Sequence, residues 1–137
     1  MFGFSFSYRM SGGAPTIQSL KFHKEETLTV GDIVFENGGG AELAATNGSK
    51  YLGPVLETKA GKTTDTIEVI VDSDAVYEVE DKNARKIGDT LDLTGTTGKQ
   101  GIAASLHKEF VVVAESSASE PTLVRFNTGK HLYNTAQ

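Results

Sequence analysis

The sequence predicts an all-β protein: a small β-barrel of two similar halves with an extended N-terminal arm. Three observations carry that expectation. Apolar residues recur at strand period in many short runs, glycine-rich turns separate those runs at close spacing, and one order of elements occurs twice along the chain.

The elements follow in order. Phe2, Phe4, Phe6 and Tyr8 alternate with Gly3, Ser5 and Ser7, the pattern of a strand with one buried face. Ser11-Gly12-Gly13-Ala14-Pro15 then breaks the chain before a second short apolar pattern at Ile17, Leu20 and Phe22. Residues 1–26 enclose no core of their own. They read either as the first strand of the domain or as an arm that buries its aromatic face on a neighbour, and the glycine pair favours reach. Residues 27–137 read as the barrel domain.

A strand from Thr27 to Phe35 carries a Gly-Asp pair and ends at the turn Asn37-Gly38-Gly39-Gly40. Ala41 to Thr46 is a short strand closed by Asn47-Gly48, a favoured hairpin pair. Tyr51 to Thr58 contains Gly53-Pro54, which places it at an edge or a bulge. Thr66–Val71 and Ala75–Val79 have high β propensity. Further strands are expected at Thr90–Leu93, Gly101–Ala104, Phe110–Glu115 and Thr122–Phe126. Short helical turns are expected around Asp81–Lys86 and Ala103–Lys108. The run from Val30 to Val71 (Gly-Asp strand, glycine turn, short strand, longer strand, loop, strand) is echoed from Ile87 to Phe126. Two such halves wrapped together would bury both apolar faces and remove most free edges.

Composition narrows the function. The chain has 137 residues, enough for one domain with a core, and its 15 glycines fit a turn-rich β protein. A net charge of −5 argues against nucleic acid or an anionic membrane as partner, since both reward clustered Lys and Arg. With no cysteine, disulfides, thiolate metal sites and cysteine nucleophiles are excluded. No segment approaches the roughly 18 apolar residues of a membrane span, and the N-terminus lacks the basic start and apolar block of a signal peptide.

Each motif has a structural reading. Gly31-Asp32 and Gly88-Asp89 are turns: glycine takes a positive φ and the carboxylate accepts backbone N–H groups. Gly38-Gly39-Gly40 lacks the helix, lysine and hydroxyl of a phosphate loop and reads as a hairpin tip. His23, His107 and His131 do not have metal-ligand spacing. Asp72-Ser73-Asp74 is a fragment of a calcium loop without its glycine and closing glutamate. Asn47-Gly48-Ser49 is better explained as a turn than as a glycosylation acceptor. No nucleophile elbow is present. No enzyme, metal or cofactor is expected.

Taken in order, Gly31-Asp32-Ile33-Val34, Leu52-Gly53-Pro54-Val55-Leu56-Glu57, Ile67–Asp72 and Val76–Val79 resemble a family of small phage head decoration proteins. The likeness continues through Ile87-Gly88-Asp89, Gly98–Ile102, Val111–Glu115 and Leu123–Phe126, so it spans residues 28–127. Gly53-Pro54 departs from the family's glycine followed by a β-former. The resemblance implies a β-barrel subunit, homotrimeric at least on the shell, that binds the major capsid protein on the capsid exterior after synthesis in the host cytoplasm. On that reading Phe2, Phe4, Phe6 and Tyr8 are candidates, from their pattern, for capsid or inter-subunit contact. The alternative is a small-molecule or carbohydrate-binding barrel, which a deep pocket lined by Tyr51, Tyr77 and Phe110 would favour. A duplicated DNA-binding barrel is a further class, disfavoured by the acidic charge.

Overall fold

The computed structural model describes residues 3–133, and among them every regular element is a strand. The elements are β1 (Ser5–Arg9), β2 (Ile17–Lys21), β3 (Glu26–Leu28), β4 (Ile33–Asn37), β5 (Gly40–Leu43), β6 (Tyr51–Pro54), β7 (Lys59–Gly61), β8 (Thr66–Ile70), β9 (Ala75–Val79), β10 (Thr90–Thr94), β11 (Gly101–Ala104), β12 (Phe110–Val112) and β13 (Thr122–Phe126). The protein is all-β. The sheets are β1-β9-β13-β12-β10-β11, β5-β4-β6, β2-β8 and β3-β7, and every ladder is antiparallel.

Three expectations need correction. No closed barrel forms among the described residues. The ladders end as separate sheets, linked by isolated bridges such as Val55 to Val69 and Phe22 to Ala41. In place of an arm extended from the body, residues 3–26 lie on it: β1 pairs with β9, β2 pairs with β8, and Phe4 and Phe22 are core residues. The aromatic alternation is satisfied within the chain because burying these rings removes apolar area from water at once. The short helical turns are absent too. Asp81 holds the first segment through Arg85 (Nε to Oδ2, 2.5 Å) and Asn83, and Asp92 holds the second, so side-chain carboxylates compete with helical backbone bonding.

The expected Thr27–Phe35 strand divides at Gly31, where φ is +89°, and its two parts pair with different partners. Gly88 repeats the geometry at +91°. Around Gly31-Asp32, the Asp32 carboxylate accepts Thr29 N–H at 2.8 Å, Gly31 N–H donates to Val55 C=O, and Val55 N–H donates to Asp32 C=O. Around Gly88-Asp89 the same three bonds join Asp89 to Lys86, Gly88 to Val112, and Val112 to Asp89. After both turns the following strand lies between two others: β4 between β5 and β6, and β10 between β11 and β12.

Two apolar clusters fill the interior. One gathers Phe22, Leu28, Val34, Leu52, Val55, Ile67 and Val69 under the β4 and β8 sheets. The larger gathers Phe4, Ile33, Tyr51, Tyr77, Leu91, Leu93, Phe110, Val124 and Phe126. Phe126 is its hub, with ring centroids 4.9 Å from Phe110, 5.5 Å from Tyr51 and 6.0 Å from Tyr77. Such aromatic pairs contribute roughly 0.5–1.5 kcal/mol each beyond the area they bury.

Candidate contact surface

The structure separates the aromatic candidates. Phe2 lies outside the described residues. Phe4 is 3% exposed and stacked on Phe110 at 5.2 Å, so it is not available to a partner. Phe6 is half-buried against the same core. Tyr8 is 41% exposed. The reason lies in the register: Phe6 pairs with Tyr77 and Tyr8 with the adjacent Val76, leaving Ser7 as an extra residue. A bulge of this kind interrupts the period-two alternation, and Tyr8 turns to the opposite face from Phe6.

Tyr8 is instead joined by residues outside the aromatic pattern. Met10, 58% exposed, follows β1, and Ile17, 46% exposed, opens β2. The segment between them sits against the β8–β9 connection, because Val71 N–H donates to Thr16 C=O and Met10 N–H to Asp74 C=O. Tyr8, Met10 and Ile17 are thus exposed apolar residues that flank this anchored loop along the chain.

A polar clamp holds that end. Asp74 receives Arg9 Nε at 3.0 Å, Ser11 N–H at 3.0 Å and the Ser11 hydroxyl. Buried Asp72 receives Thr16 N–H at 2.6 Å and lies 3.4 Å from Arg9 Nε. Desolvation pushes the Asp74 carboxyl up, but the Ser11 bonds and the Arg9 guanidinium outweigh it and hold its pKa at about 2. The Asp72-Ser73-Asp74 run, which resembled part of a calcium loop, thus fastens a loop to the body. Beyond the clamp, Gly12 and Gly13 have, among the described residues, nothing but their chain neighbours within 4 Å of where their Cβ atoms would stand. The arrangement is a pinned loop with exposed apolar residues on either side of it.

The other buried polar groups serve the scaffold. Asp32 accepts Thr29 N–H, Gly98 N–H and the Thr97 hydroxyl, tying the β10–β11 turn to the first half. Gln100 spans the same seam: its side chain accepts Ile33 N–H and donates to Ala44 C=O. Glu109 accepts Leu93 N–H at 3.0 Å, Gly48 N–H at 3.1 Å, and the Thr46 and Tyr51 hydroxyls. Burial, and then the Glu109 carboxylate, push the Tyr51 phenol far up, so it stays a neutral donor. Asp92 accepts the N–H groups of Leu106 and His107. Burial pushes its carboxyl up, and these bonds outweigh the burial and hold it below the usual range.

The histidines stay apart in role. His23 lies 3.8 Å from Glu42, His107 docks through its backbone, and His131 is buried beside Phe126. Among the described residues no three His, Asp or Glu side chains come together as a metal site. Tyr51, Tyr77 and Phe110, the residues that would have lined a ligand pocket, are sealed in the core. Tyr51 borders a depression of about 550 Å³, shared with Phe35, Glu36 and Lys50. No family model and no curated protein matches the chain.

The sequence reading missed Met10 and did not assign Ile17 to a surface. The available signal was positional: both flank a Gly-Gly loop and lie outside the period-two pattern, where apolar side chains have no inner face to occupy.

Proposed function

We propose that this chain is a virion structural protein that binds the outside of a phage capsid and stabilises it, without catalysis. The observation that carries the reading is the exposure of Tyr8, Met10 and Ile17 on either side of a loop that Arg9, Asp72 and Asp74 pin to an all-β body. A rigid body with ordered apolar contacts loses little conformational entropy on docking. Repeated over a shell, modest contacts sum through avidity, and self-association as a trimer would multiply them further. The ordered run of Gly-Asp and Val-rich motifs resembling head decoration proteins supports the same reading. The like hydrogen bonding of the two Gly-Asp turns supports an internal repeat, which would make the subunit a pseudo-symmetric plug.

The test is sedimentation with phage heads that lack the protein. Wild-type chain is expected to co-sediment at a fixed ratio to the major capsid protein. A Tyr8→Ser, Met10→Ser, Ile17→Ser variant should bind about ten- to a hundredfold more weakly, since each exposed apolar anchor carries on the order of 0.5–1 kcal/mol, while its melting temperature stays within a few degrees. Full occupancy by the folded triple variant would remove these residues from the interface. No wild-type binding would end the capsid reading.

A further inference from the structure

The pairings that follow the two Gly-Asp turns match one another as far as β2 and β9. Leu56 N–H donates to Glu68 C=O and Val55 bridges Val69, so the chain after β6 runs beside β8. Val113 N–H donates to Leu123 C=O and Val112 pairs with Val124, so the chain after β12 runs beside β13 in the same way. Next, β8 carries β2 with Gln18 opposite Val69, and β13 carries β9 with Tyr77 opposite Val124. Ile17, Gln18 and Ser19 thereby stand where Val76, Tyr77 and Glu78 stand. The match ends there. β9 has β1 on its outer edge, whereas β2 has no further ladder among the described residues.

The outer edge of β2 is open from Ile17 to Ser19. In an antiparallel ladder, alternate residues turn their N–H and C=O groups to the same side. Thr16 C=O and Phe22 N–H are bonded on the β8 side, to Val71 and Asp65, so Gln18 and Leu20 face β8 while Ile17 and Ser19 face away. On β9 the corresponding groups face β1, in line with the bond from Met10 N–H to Asp74 C=O. Exposure follows this difference: Ile17, Gln18 and Ser19 are all exposed, while Val76 and Tyr77 are buried. No charge, proline or bulge interrupts the stretch, although these are the usual guards of an edge. Its limits are Pro15, which has no N–H to offer, and Gly40, where a Cβ would stand 2.8 Å from the Lys21 carbonyl oxygen. The described termini lie elsewhere. Gly3 N–H donates to Gln100 C=O, and Leu132 N–H donates to Tyr51 C=O on β6, with β8 between β6 and β2.

We propose that the outer edge of β2 takes an extended segment of a partner chain, antiparallel to β2, in the place that β1 takes on β9. Strand addition draws affinity from main-chain bonds and specificity from alternate side chains. Here the bonds go to the N–H and C=O groups of Ile17 and Ser19. The segment carries an apolar residue beside Ile17 and no charge at its centre, because Gln18 and Ser19 supply no countercharge. The proposal rests on the capsid-binding reading, which makes the partner a segment of the shell subunit. Ile17 both opens this edge and belongs to the exposed residues assigned to capsid contact, so the two surfaces are continuous.

Hydrogen exchange followed by NMR on the free protein reads the edge residue by residue. The Ile17 and Ser19 amides should exchange about tenfold or more faster than those of Gln18 and Leu20. Equal protection of all four overturns the proposal, because the edge would then be covered within the chain. On heads, exchange in peptides spanning residues 16–21 should slow by about tenfold or more relative to the free protein. Ser19→Pro removes an N–H that the β8 ladder does not use, so the variant should keep its melting temperature within a few degrees and bind heads about tenfold more weakly. Bound wild type whose 16–21 peptides exchange as fast as in free solution overturns the edge alone, as does folded Ser19→Pro that binds at full affinity. If Ser19→Pro fails to fold, the two exchange measurements decide. If the wild type does not bind heads at all, the capsid reading falls and the partner of this edge falls with it.

Discussion

Phe4→Ala separates a packed first strand from a reaching arm. The ring is 3% exposed, lies in the larger core and stacks on Phe110 at 5.2 Å. Truncating such a ring leaves a cavity in a close-packed interior, and Phe→Ala changes of this kind cost about 3–5 kcal/mol. The unfolding entropy of globular proteins is roughly 2.1 cal/mol/K per residue, so for a chain of 137 residues each kcal/mol shifts the melting temperature by about 3–4 °C. The expected drop is therefore about 10–17 °C. The chain has no tryptophan, so far-UV circular dichroism is the practical probe, with urea titrations at fixed temperature to check that the m-value is unchanged. Tyr8→Ala, on the solvent side of the bulge, should cost less than about 1 kcal/mol. A Phe4→Ala shift under about 3 °C, or equal shifts for the two variants, would refute the packing of β1 described above.

The remaining predictions concern single groups. Asp32→Ala strands Thr29 N–H and Gly98 N–H and removes one acceptor of the Thr97 hydroxyl, and should cost about 3 kcal/mol, whereas exposed Asp89 accepts Lys86 N–H and its loss should cost about 1 kcal/mol; urea denaturation of the pair checks the order. The Tyr77 hydroxyl is buried with no hydrogen-bond partner among the described residues, so Tyr77→Phe should be neutral or stabilising by up to about 1 kcal/mol, read as a melting temperature that does not fall. His131 accepts Tyr133 N–H at Nδ1 and donates from Nε2 to Leu52 C=O, and burial lowers its pKa from 6.5 against the opposing pull of that bond and of Asp72. Below pH 6.5 the unfolded chain then takes up the proton more readily than the folded one. Stability should fall as the pH drops from 7 toward 5, and His131→Gln should flatten that slope in thermal melts across the range.

The sequence conveyed the strands well where local chemistry acts alone. Thr66–Ile70, Ala75–Val79, Gly101–Ala104 and Thr122–Phe126 appear where β propensity and flanking turns placed them. The Gly31 and Gly88 turns were legible for the same reason, since a positive φ and a nearby carboxylate are local requirements. What depends on pairing was not legible. Period-two alternation shows that Phe4, Phe6 and Tyr8 want a common face, but not that a bulge at Ser7 turns Tyr8 outward, nor that the face is buried within the same chain. Asp72-Ser73-Asp74 read as a fragment of a calcium loop because Arg9, Ser11 and Thr16, which its carboxylates bind, lie more than fifty residues away.

The proposal that this chain coats a phage shell is tested most directly by quantitative mass spectrometry of density-purified virus particles from its source. The account predicts a fixed ratio near one copy per major capsid subunit, retained through repeated banding. Purified virions without the chain, or with only trace amounts that fall at each step, would contradict it.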